Sequence, residues 1–177
     1  LLLRGNSLSD CRSILGISIS FILRWLLNNT ADLNLKPRQN HYHKVQIDEF
    51  WTYVGEKKHK KWVIYAYAPE SNEILAFVIG GRDAKTTRKL YKQLRKIQID
   101  WFCTDDWKSF KKVFPVELHL IGKAFTRHIE GVNNSIRTFL RRSFRKTTCF
   151  SKQLNYHEAA FKLSLIHISE PTRHRRL

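Results

Sequence analysis

The chain lacks methionine and has only three cysteines among its 177 residues. Cys11, Cys103 and Cys149 are far apart and odd in number, which argues against a disulfide framework and a zinc finger. We therefore expect buried or free thiols in a reducing cytoplasm. The longest apolar run, residues 14–27, contains Arg24 and is too short to span a membrane, and no secretory signal is visible. Because the chain starts with Leu and has no Met, we expect it to be a fragment.

Acidic residues are also scarce. The 32 Lys and Arg residues outnumber the 15 Asp and Glu residues, which gives a formal net charge of +17. Such an excess attracts phosphate backbones, and without a membrane segment the expected partner is a nucleic acid. The length and a hydrophobic content of 42% suffice for one domain with a real core and a small appendage.

Residues 1–29 predict two short helices. Apolar residues recur at helical spacing up to Gly16, which suits a tight turn, and Ser18 can cap a second helix. Helix, glycine turn, serine cap and helix are typical of a helix-turn-helix, although an ordinary αα-hairpin has the same pattern. In the DNA-binding alternative, Ser20 and Arg24 contact DNA in the major groove. The residues expected to pack inward are Ile22 and Leu26.

The region after a polar linker at 30–44 predicts an α/β domain. Three strands are followed by a helix, a strand, a short helix, a strand and a long helix, which indicates a mixed sheet flanked by helices. Gly55 and the basic run 57–61 predict a hairpin tip, and Asp83 predicts a helix N-cap. The expected strands are 45–54, 62–68, 74–79, 97–104 and 116–121; the expected helices are 84–96, 106–113 and 125–145.

The last stretch, 164–177, continues no pattern. Its LIHISEPTR segment looks like translated sequencing-adapter read-through. We expect this tail to be non-native, which leaves residues 45–163 as the main domain.

Three acidic residues stand in distinctive settings: Asp48 in VQIDEFW, Asp105 in FCTDDWKSF and Glu130 in FTRHIEGVNNSIR. Asp48 falls within the first predicted strand and Asp105 at the end of the fourth, and we expect these strands to be adjacent. Two divalent cations can drive phosphodiester chemistry, and carboxylate oxygens are the ligands that Mg²⁺ prefers. The pattern therefore predicts a metal site for Mg²⁺, with Mn²⁺ as an alternative.

Basic and amide side chains follow Glu130 along the last predicted helix. Asn133 and Arg137 come three and seven residues after it, on the same helical face, which suits a metal and phosphate site or a solvated surface. A run of cations then predicts a track for DNA phosphates. The members of this track are Arg137, Arg141, Arg142 and Arg145, with Lys146.

Two neighbouring acids are alternatives to the proposed ligands. Asp106 competes with Asp105, and we expect Asp106 instead to cap the following helix. Glu49 competes with Asp48, and strand alternation predicts that only one of them faces the site.

These motifs resemble the insertion sequence 1 family of DDE transposases. The resemblance rests on IDEFWTYVG, KKWVIYAYAPESNEILAFVIGGR, TDDWKSF, FTRHIEGVNNSIRTFLRR and KTTCFSKQ, which lie within residues 45–163. It implies a ribonuclease H-like fold, Mg²⁺ dependence and cut-and-join chemistry at element ends. Two departures are the missing N-terminal zinc finger and Asp106, where the family usually has Gly. The family's acids, Asn and Arg fall on Asp48, Asp105, Glu130, Asn133 and Arg137.

The sequence thus predicts a prokaryotic DNA transposase fragment. It would nick the ends of an element, and the freed 3′-hydroxyl would attack target DNA. We expect double-stranded DNA as its partner, homo-oligomers on DNA, and a cytoplasmic, nucleoid-associated location. The alternatives are a non-catalytic helix-turn-helix DNA-binding protein and a ribonuclease H-like nuclease without joining activity.

Overall fold

A computed structural model describes residues 1–2, 6–140 and 150–169 of the chain. Helices and strands alternate after two N-terminal helices. The helices are α1 (Leu8–Leu15), α2 (Ile19–Thr30), α3 (Ala84–Leu94), α4 (Lys108–Lys111), α5 (Arg127–Phe139) and α6 (Leu154–Ser169). The strands are β1 (His41–Val54), β2 (Glu56–Ala68), β3 (Glu73–Gly80), β4 (Gln98–Thr104) and β5 (His119–Ile121). Short 3₁₀ turns cover Val116–Leu118 and Lys123–Phe125.

The five strands form one mixed sheet in the order β3-β2-β1-β4-β5. Strands β2 and β3 pair antiparallel, whereas β4 pairs parallel with both β1 and β5. Parallel neighbours need crossover connections. The connection from β1 to β4 runs through β2, β3 and α3, and the connection from β4 to β5 contains α4. The predicted α/β class, a ribonuclease H-like mixed sheet flanked by helices, is confirmed, as is the predicted adjacency of β1 and β4.

The chain divides into two compact units. One comprises Leu1–Asn34, Thr52–Lys60 and Asn134–Leu177, and the other comprises Leu35–Trp51 and Lys61–Asn133. The second unit holds a core of aliphatic side chains from the sheet and α3, joined by a cluster of aromatic rings in edge-on and tilted contacts. The rings of this cluster are Tyr91, Phe102, Phe110 and Phe114.

The first unit contains the N-terminal helices. Ser7 and Ser18 cap α1 and α2, and Gly16 between them adopts φ 66°, a left-handed conformation that favours glycine. The predicted sequence of helix, glycine turn, serine cap and helix is therefore present. Helix α2 packs against α6, where Leu26 and Leu165 are fully buried, a pairing that the sequence pattern did not predict.

Several predicted boundaries were wrong. Strand β1 begins at His41, inside the expected linker, and β2 begins at Glu56, so the basic run 57–61 belongs to a strand. The hairpin turn is reduced to Gly55, whose φ of 73° suits a tight turn. Helix α6 continues to Ser169, beyond the point where the sequence pattern was expected to stop.

Other predicted features agree with the structure. Asp83 caps α3 by accepting a hydrogen bond from the Thr86 amide, as expected. Cys11 and Cys103 are buried free thiols, and burial raises the pKa of the Cys103 thiol to about 11. Cys149 lies outside the described residues. Among the helices that the structure describes, none is long and apolar enough to cross a membrane.

Candidate active site

The parallel pairing of β1 and β4 brings two of the predicted acids level with each other. Gln46 on β1 pairs with Cys103 on β4. Asp48 lies two residues further along β1, and Asp105 follows directly after the last residue of β4, so the parallel pairing brings the two acids near each other. Residues two apart on a strand project to the same side of the sheet. Strand pairing alone thus brings together two acids that lie far apart in the sequence.

Asp48 is a half-buried carboxylate with two close hydrogen bonds. Its Oδ1 accepts from the Glu49 amide at 2.7 Å, and its Oδ2 accepts from Asn133 Nδ2 at 2.7 Å. Burial raises the pKa of Asp48, and the negative charges of Asp105 and Glu130 raise it further. The two hydrogen bonds act in the opposite direction because they favour the ionised form. The charges of both other predicted acids therefore act on the pKa of Asp48.

Asn133 is oriented by a buried tyrosine. The Tyr65 hydroxyl lies 2.9 Å from Asn133 Oδ1 and 3.2 Å from the carbonyl oxygen of Ile129. Because the hydroxyl donates to Oδ1, the amide nitrogen of Asn133 is directed at Asp48. Tyr65 is fully buried, so it can hold this arrangement rigidly.

Helix α5, which carries Glu130 and Asn133, is also tied to β1 near its start. Gln46 Oε1 accepts a hydrogen bond from the Ile129 amide at 2.9 Å. That amide lies in the first turn, where helix N–H groups have no partner within the helix. Glu130 follows directly and is exposed, so its side chain is free to change rotamer.

Asp105 begins the turn between β4 and α4. Its Oδ1 accepts from the Trp107 amide at 3.1 Å. Asp106 is exposed and pairs with Lys111, whereas the N-cap of α4 is Trp107, which makes no side-chain cap. The expectation that Asp106 caps this helix was therefore wrong, because the helix starts one residue later than the aspartate requires.

Glu49 lies next to Asp48 and is also close to the site. Its side chain is only 4% exposed and pairs with Arg82. Burial raises the pKa of Glu49, the Arg82 hydrogen bond lowers it, and the charges of Asp105 and Asp48 raise it. Asp105 thus acts electrostatically on both Asp48 and Glu49, although Asp48 is bonded to Asn133 and Glu49 to Arg82. That only one of the two faces the metal site stays a prediction.

The charges of Asp105 and Glu130 act on Asp48, but the three predicted ligands do not form a closed cage. Within residues 1–2, 6–140 and 150–169, no three His, Cys, Asp or Glu side chains are arranged to hold a metal ion. Of the other predicted site residues, Ser20 and Arg24 are exposed on α2, and Arg137 is exposed on α5. The phosphate-track residues outside the described ranges are Arg141, Arg142 and Arg145.

Sequence reasoning missed the side chains that hold these acids in place. Gln46 and Tyr65 are separated by about eighty and sixty residues from the helix they contact, and no local pattern marks them. Arg82 was likewise unmarked, although its GGR motif ends a strand. The one available signal was Gln46, a polar residue buried within a strand. Such a residue needs a hydrogen-bond partner.

A ribonuclease H-like sheet with carboxylates on two adjacent parallel strands defines a class of nucleic-acid-processing proteins. The IS1 transposase family model matches residues 44–167, and the chain belongs to that family. The match extends past residue 163, into the stretch that the sequence pattern set apart.

Several curated relatives are bacterial insertion-element proteins. The chain is 39% identical over 113 residues to the insertion element iso-IS1n protein InsB of Shigella dysenteriae, covering 64% of this chain and 86% of the relative. It is 34% identical over 113 residues to the insertion element IS1 protein InsB of Shigella flexneri, again covering 64% of this chain and 86% of the relative. The IS1 4 protein InsB of Escherichia coli K12 is also 34% identical, with 64% of this chain and 68% of the relative covered.

A distant likeness exists among solved structures. A chain of the simian T-cell lymphotropic virus intasome, solved by cryo-EM in complex with PP2A regulatory subunit B56 gamma, is 11% identical with a TM-score of 0.48. The alignment covers 86% of this chain and 63% of that chain. A likeness of this size is too weak to support a conclusion about fold or function.

Proposed function

We propose that this transposase-family chain cleaves DNA at element ends and joins them to target DNA in a reaction that depends on divalent metal. Asp48, Asp105 and Glu130 would be the metal ligands and catalytic carboxylates. The observation that carries the proposal is geometric: β1 and β4 pair in parallel, which brings Asp48 towards Asp105, and Asn133, on the helix that carries Glu130, donates to Asp48 Oδ2 at 2.7 Å. Negative charges held together at such a site favour a bound cation.

The chemistry of these donors fits Mg²⁺ or Mn²⁺. All three side chains offer hard carboxylate oxygens, the ligands that these cations prefer. When bound, a pair of divalent cations lowers the pKa of an attacking water and offsets charge on the leaving oxygen. Because the three acids do not form a closed cage, binding requires movement, and the exposed Glu130 side chain is the one best placed to move.

The surrounding residues would keep the reacting groups in position. Asn133 holds Asp48 Oδ2, and Tyr65 fixes the Asn133 amide so that the aspartate keeps one orientation. Arg137, seven residues after Glu130 on α5, would contact a DNA phosphate. No protein nucleophile is needed, so no covalent protein–DNA intermediate forms in this scheme.

Double-stranded DNA would bind to the basic surface of the chain. Arg137, Arg141, Arg142 and Arg145 supply a run of positive charge, which suits sequence-independent phosphate contacts. We further propose that residues 1–29 contribute to recognition of element ends through Ser20 and Arg24, ahead of a catalytic region at 45–163. The chain would act as a homo-oligomer on DNA at the prokaryotic nucleoid.

A nicking assay tests the proposal. The substrate is a supercoiled plasmid carrying the DNA that flanks the coding sequence of this chain, with Mg²⁺ or Mn²⁺ added. Asp48→Asn, Asp105→Asn and Glu130→Gln should each reduce nicking to background, whereas the control Asp106→Asn should nick like the wild type. Nicking that survives in all three variants would overturn the metal-ligand assignment. Full activity in Asp105→Asn with loss in Asp106→Asn would move one ligand by one residue.

A second assay separates the alternatives. A short duplex that already ends in a free 3′-hydroxyl is offered together with a circular target DNA. A transposase should join the two, a nuclease without joining activity should only cut, and a non-catalytic binder should do neither while still binding DNA.

A further inference from the structure

A second group of contacts surrounds the Asp105 turn. The guanidinium of Arg82, just after β3, donates two hydrogen bonds to Glu49 Oε1, from Nε at 3.1 Å and from Nη2 at 2.8 Å. The same guanidinium carbon lies 4.7 Å from the ring centre of Trp62 and 5.0 Å from that of Trp107. We call the group of Arg82, Glu49, Trp62 and Trp107 the arginine clamp.

The clamp joins four separate parts of the sheet unit. Glu49 is on β1 next to Asp48, Trp62 is on β2, Arg82 follows β3, and Trp107 lies in the turn after β4. An arginine stacked on two aromatic rings is held in one orientation, and cation–π contacts are stronger where water is excluded. Arg82 therefore fixes the position of Trp107 relative to three strands.

Trp107 connects the clamp to Asp105. Its backbone amide donates to Asp105 Oδ1 at 3.1 Å, and its ring packs edge-on against the buried Phe110 at 4.8 Å. Phe110 fixes one edge of the tryptophan, and Arg82 contacts the ring from another element. The orientation of the Asp105 carboxylate thus depends on where Trp107 is held.

Glu49 is needed to complete the clamp. Its side chain is 4% exposed, and within the described residues its Oε2 has no hydrogen-bond partner. A buried carboxylate left in that condition is costly unless a cation balances it. Arg82 is the cation that the structure places beside Glu49. This pairing accounts for the contact of the guanidinium with a buried carboxylate, although 44% of the arginine side chain is exposed.

We infer that Arg82 is a positioning residue that holds the Asp105 turn through Trp107 in the geometry that metal binding requires. The inference rests on the proposed function for the role of Asp105 in the reaction. The mechanical link between Arg82 and the Trp107 amide stands independently of that function.

Amide hydrogen exchange at Trp107 tests the mechanical link without any activity. In Arg82→Gln, the Trp107 amide should exchange about tenfold faster than in the wild type, because the turn opens more often. The matched control is Arg88→Gln, which removes the same charge from an exposed position on α3 and should leave Trp107 exchange unchanged. Exchange at Trp107 that is the same in both variants would overturn the inference, whether or not the chain nicks DNA.

A second variant guards against loss of folding in Arg82→Gln, where Glu49 would be a buried charge without its partner. Trp62→Leu removes one of the two aromatic rings that contact Arg82 and leaves the ion pair between Arg82 and Glu49 intact. It should also speed Trp107 exchange, with a smaller effect than Arg82→Gln. An unchanged Trp107 amide in a folded Trp62→Leu protein would contradict the clamp.

The Mg²⁺ dependence of nicking connects the clamp with the reaction. Arg82→Gln should raise the Mg²⁺ concentration for half-maximal nicking by roughly tenfold, with activity largely restored at saturating Mg²⁺. Arg82→Lys keeps the charge but not the planar stacking group. Its Mg²⁺ concentration for half-maximal nicking should lie between those of the wild type and Arg82→Gln. If wild-type nicking is absent, the proposed function fails while the exchange result still decides the clamp. If the only change is weaker DNA binding, Arg82 is a DNA contact and the inference is wrong.

Discussion

At the scale of single residues, the candidate site is dominated by a carboxylate in an unfavourable position. Asp48 is half-buried, and Asp105 and Glu130 add repulsion that the Asn133 hydrogen bond only partly offsets. Active sites commonly carry such a cost because the same charges stabilise what the site binds. The metal-free protein should therefore gain stability when this charge is removed.

The first prediction concerns Asp48→Asn. The native-state pKa of Asp48 is raised above its ordinary value of 3.8, so folding binds a proton there. The stabilising contribution of that proton is complete below pH 3.8 and is lost as the pH rises through the native-state pKa. At neutral pH without metal, Asp48→Asn should thus be more stable by about 1 kcal/mol, a few degrees in Tm.

Thermal unfolding from pH 4 to pH 8 measures this difference. The gap in Tm between the variant and the wild type should widen as the pH rises, and added Mg²⁺ should stabilise only the wild type. A variant that is less stable than the wild type at neutral pH would show that Asp48 is not under electrostatic strain. Asp106→Asn, at an exposed position, is the control.

The second prediction uses two tyrosines on the same strand. Tyr65→Phe removes the hydroxyl that orients Asn133, and Tyr67→Phe removes one that donates to Asn72 at 2.9 Å. Each loss should cost about 1 kcal/mol in the free energy of unfolding. Only Tyr65→Phe should also slow nicking, because only Asn133 contacts Asp48. Equal nicking rates in the two variants would remove Tyr65 and Asn133 from the support of the site.

At the scale of elements, β1 carries most of the site. It supplies Asp48 and Glu49, pairs with the strand that leads to Asp105, and holds the first turn of α5 through Gln46. The first turn of the helix that presents Glu130 is therefore held to β1 by a protein hydrogen bond.

The third prediction tests that anchor. Gln46→Leu keeps the bulk of the side chain but leaves the buried Ile129 amide without its acceptor, which should cost about 1–3 kcal/mol. The Ile129 amide should exchange faster, and Glu130-dependent nicking should fall. Gln98→Leu, at an exposed position on β4, is the control. Unchanged exchange at Ile129 would mean that α5 is held by apolar packing alone.

Much of the element pattern could be predicted from the sequence because it depends on local signals. Alternation and β-branched residues marked the strands, and Asp83 marked the start of α3. The basic run 57–61 was misread because charged residues in a strand have no apolar pattern to reveal them. Likewise, α6 was not predicted and the stretch from residue 164 was set apart, because the helix that packs against α6 lies more than a hundred residues earlier in the chain.

The acids of the candidate site could be predicted from the sequence, whereas the side chains that hold them in place could not. Two carboxylates followed from strand adjacency, a rule of topology that the sequence order already indicates. The Tyr65–Asn133 contact and the arginine clamp depend on side chains brought together by tertiary packing, for which spacing along one chain gives no signal.

At the scale of the whole molecule, charge is the main feature. The chain carries a net charge of +17, whereas the candidate site is made of carboxylates, so a polyanion is attracted to the chain while the site itself repels it. Divalent cations would remove this conflict at the point of reaction. DNA binding and cleavage should therefore respond differently to salt and to metal.

The fourth prediction concerns this basic surface. DNA affinity should fall steeply with salt, and each phosphate contact removed should lower the log–log salt slope by about 0.9. Arg141→Ala with Arg142→Ala should weaken binding to all duplex sequences alike. Affinity measured by fluorescence anisotropy across a salt series checks both points. A loss confined to one sequence would instead place these arginines at base edges.

The central claim is that Asp48, Asp105 and Glu130 bind divalent metal, and crystals grown with Mn²⁺ test it most directly. Anomalous scattering locates manganese without reference to activity or DNA. The account predicts at least one peak at about 2 Å from carboxylate oxygens of both Asp48 and Asp105, with Glu130 rotated towards it. Manganese found only at other carboxylates, with Asp48 still bonded to Asn133 and no peak beside it at saturating Mn²⁺, would contradict the claim.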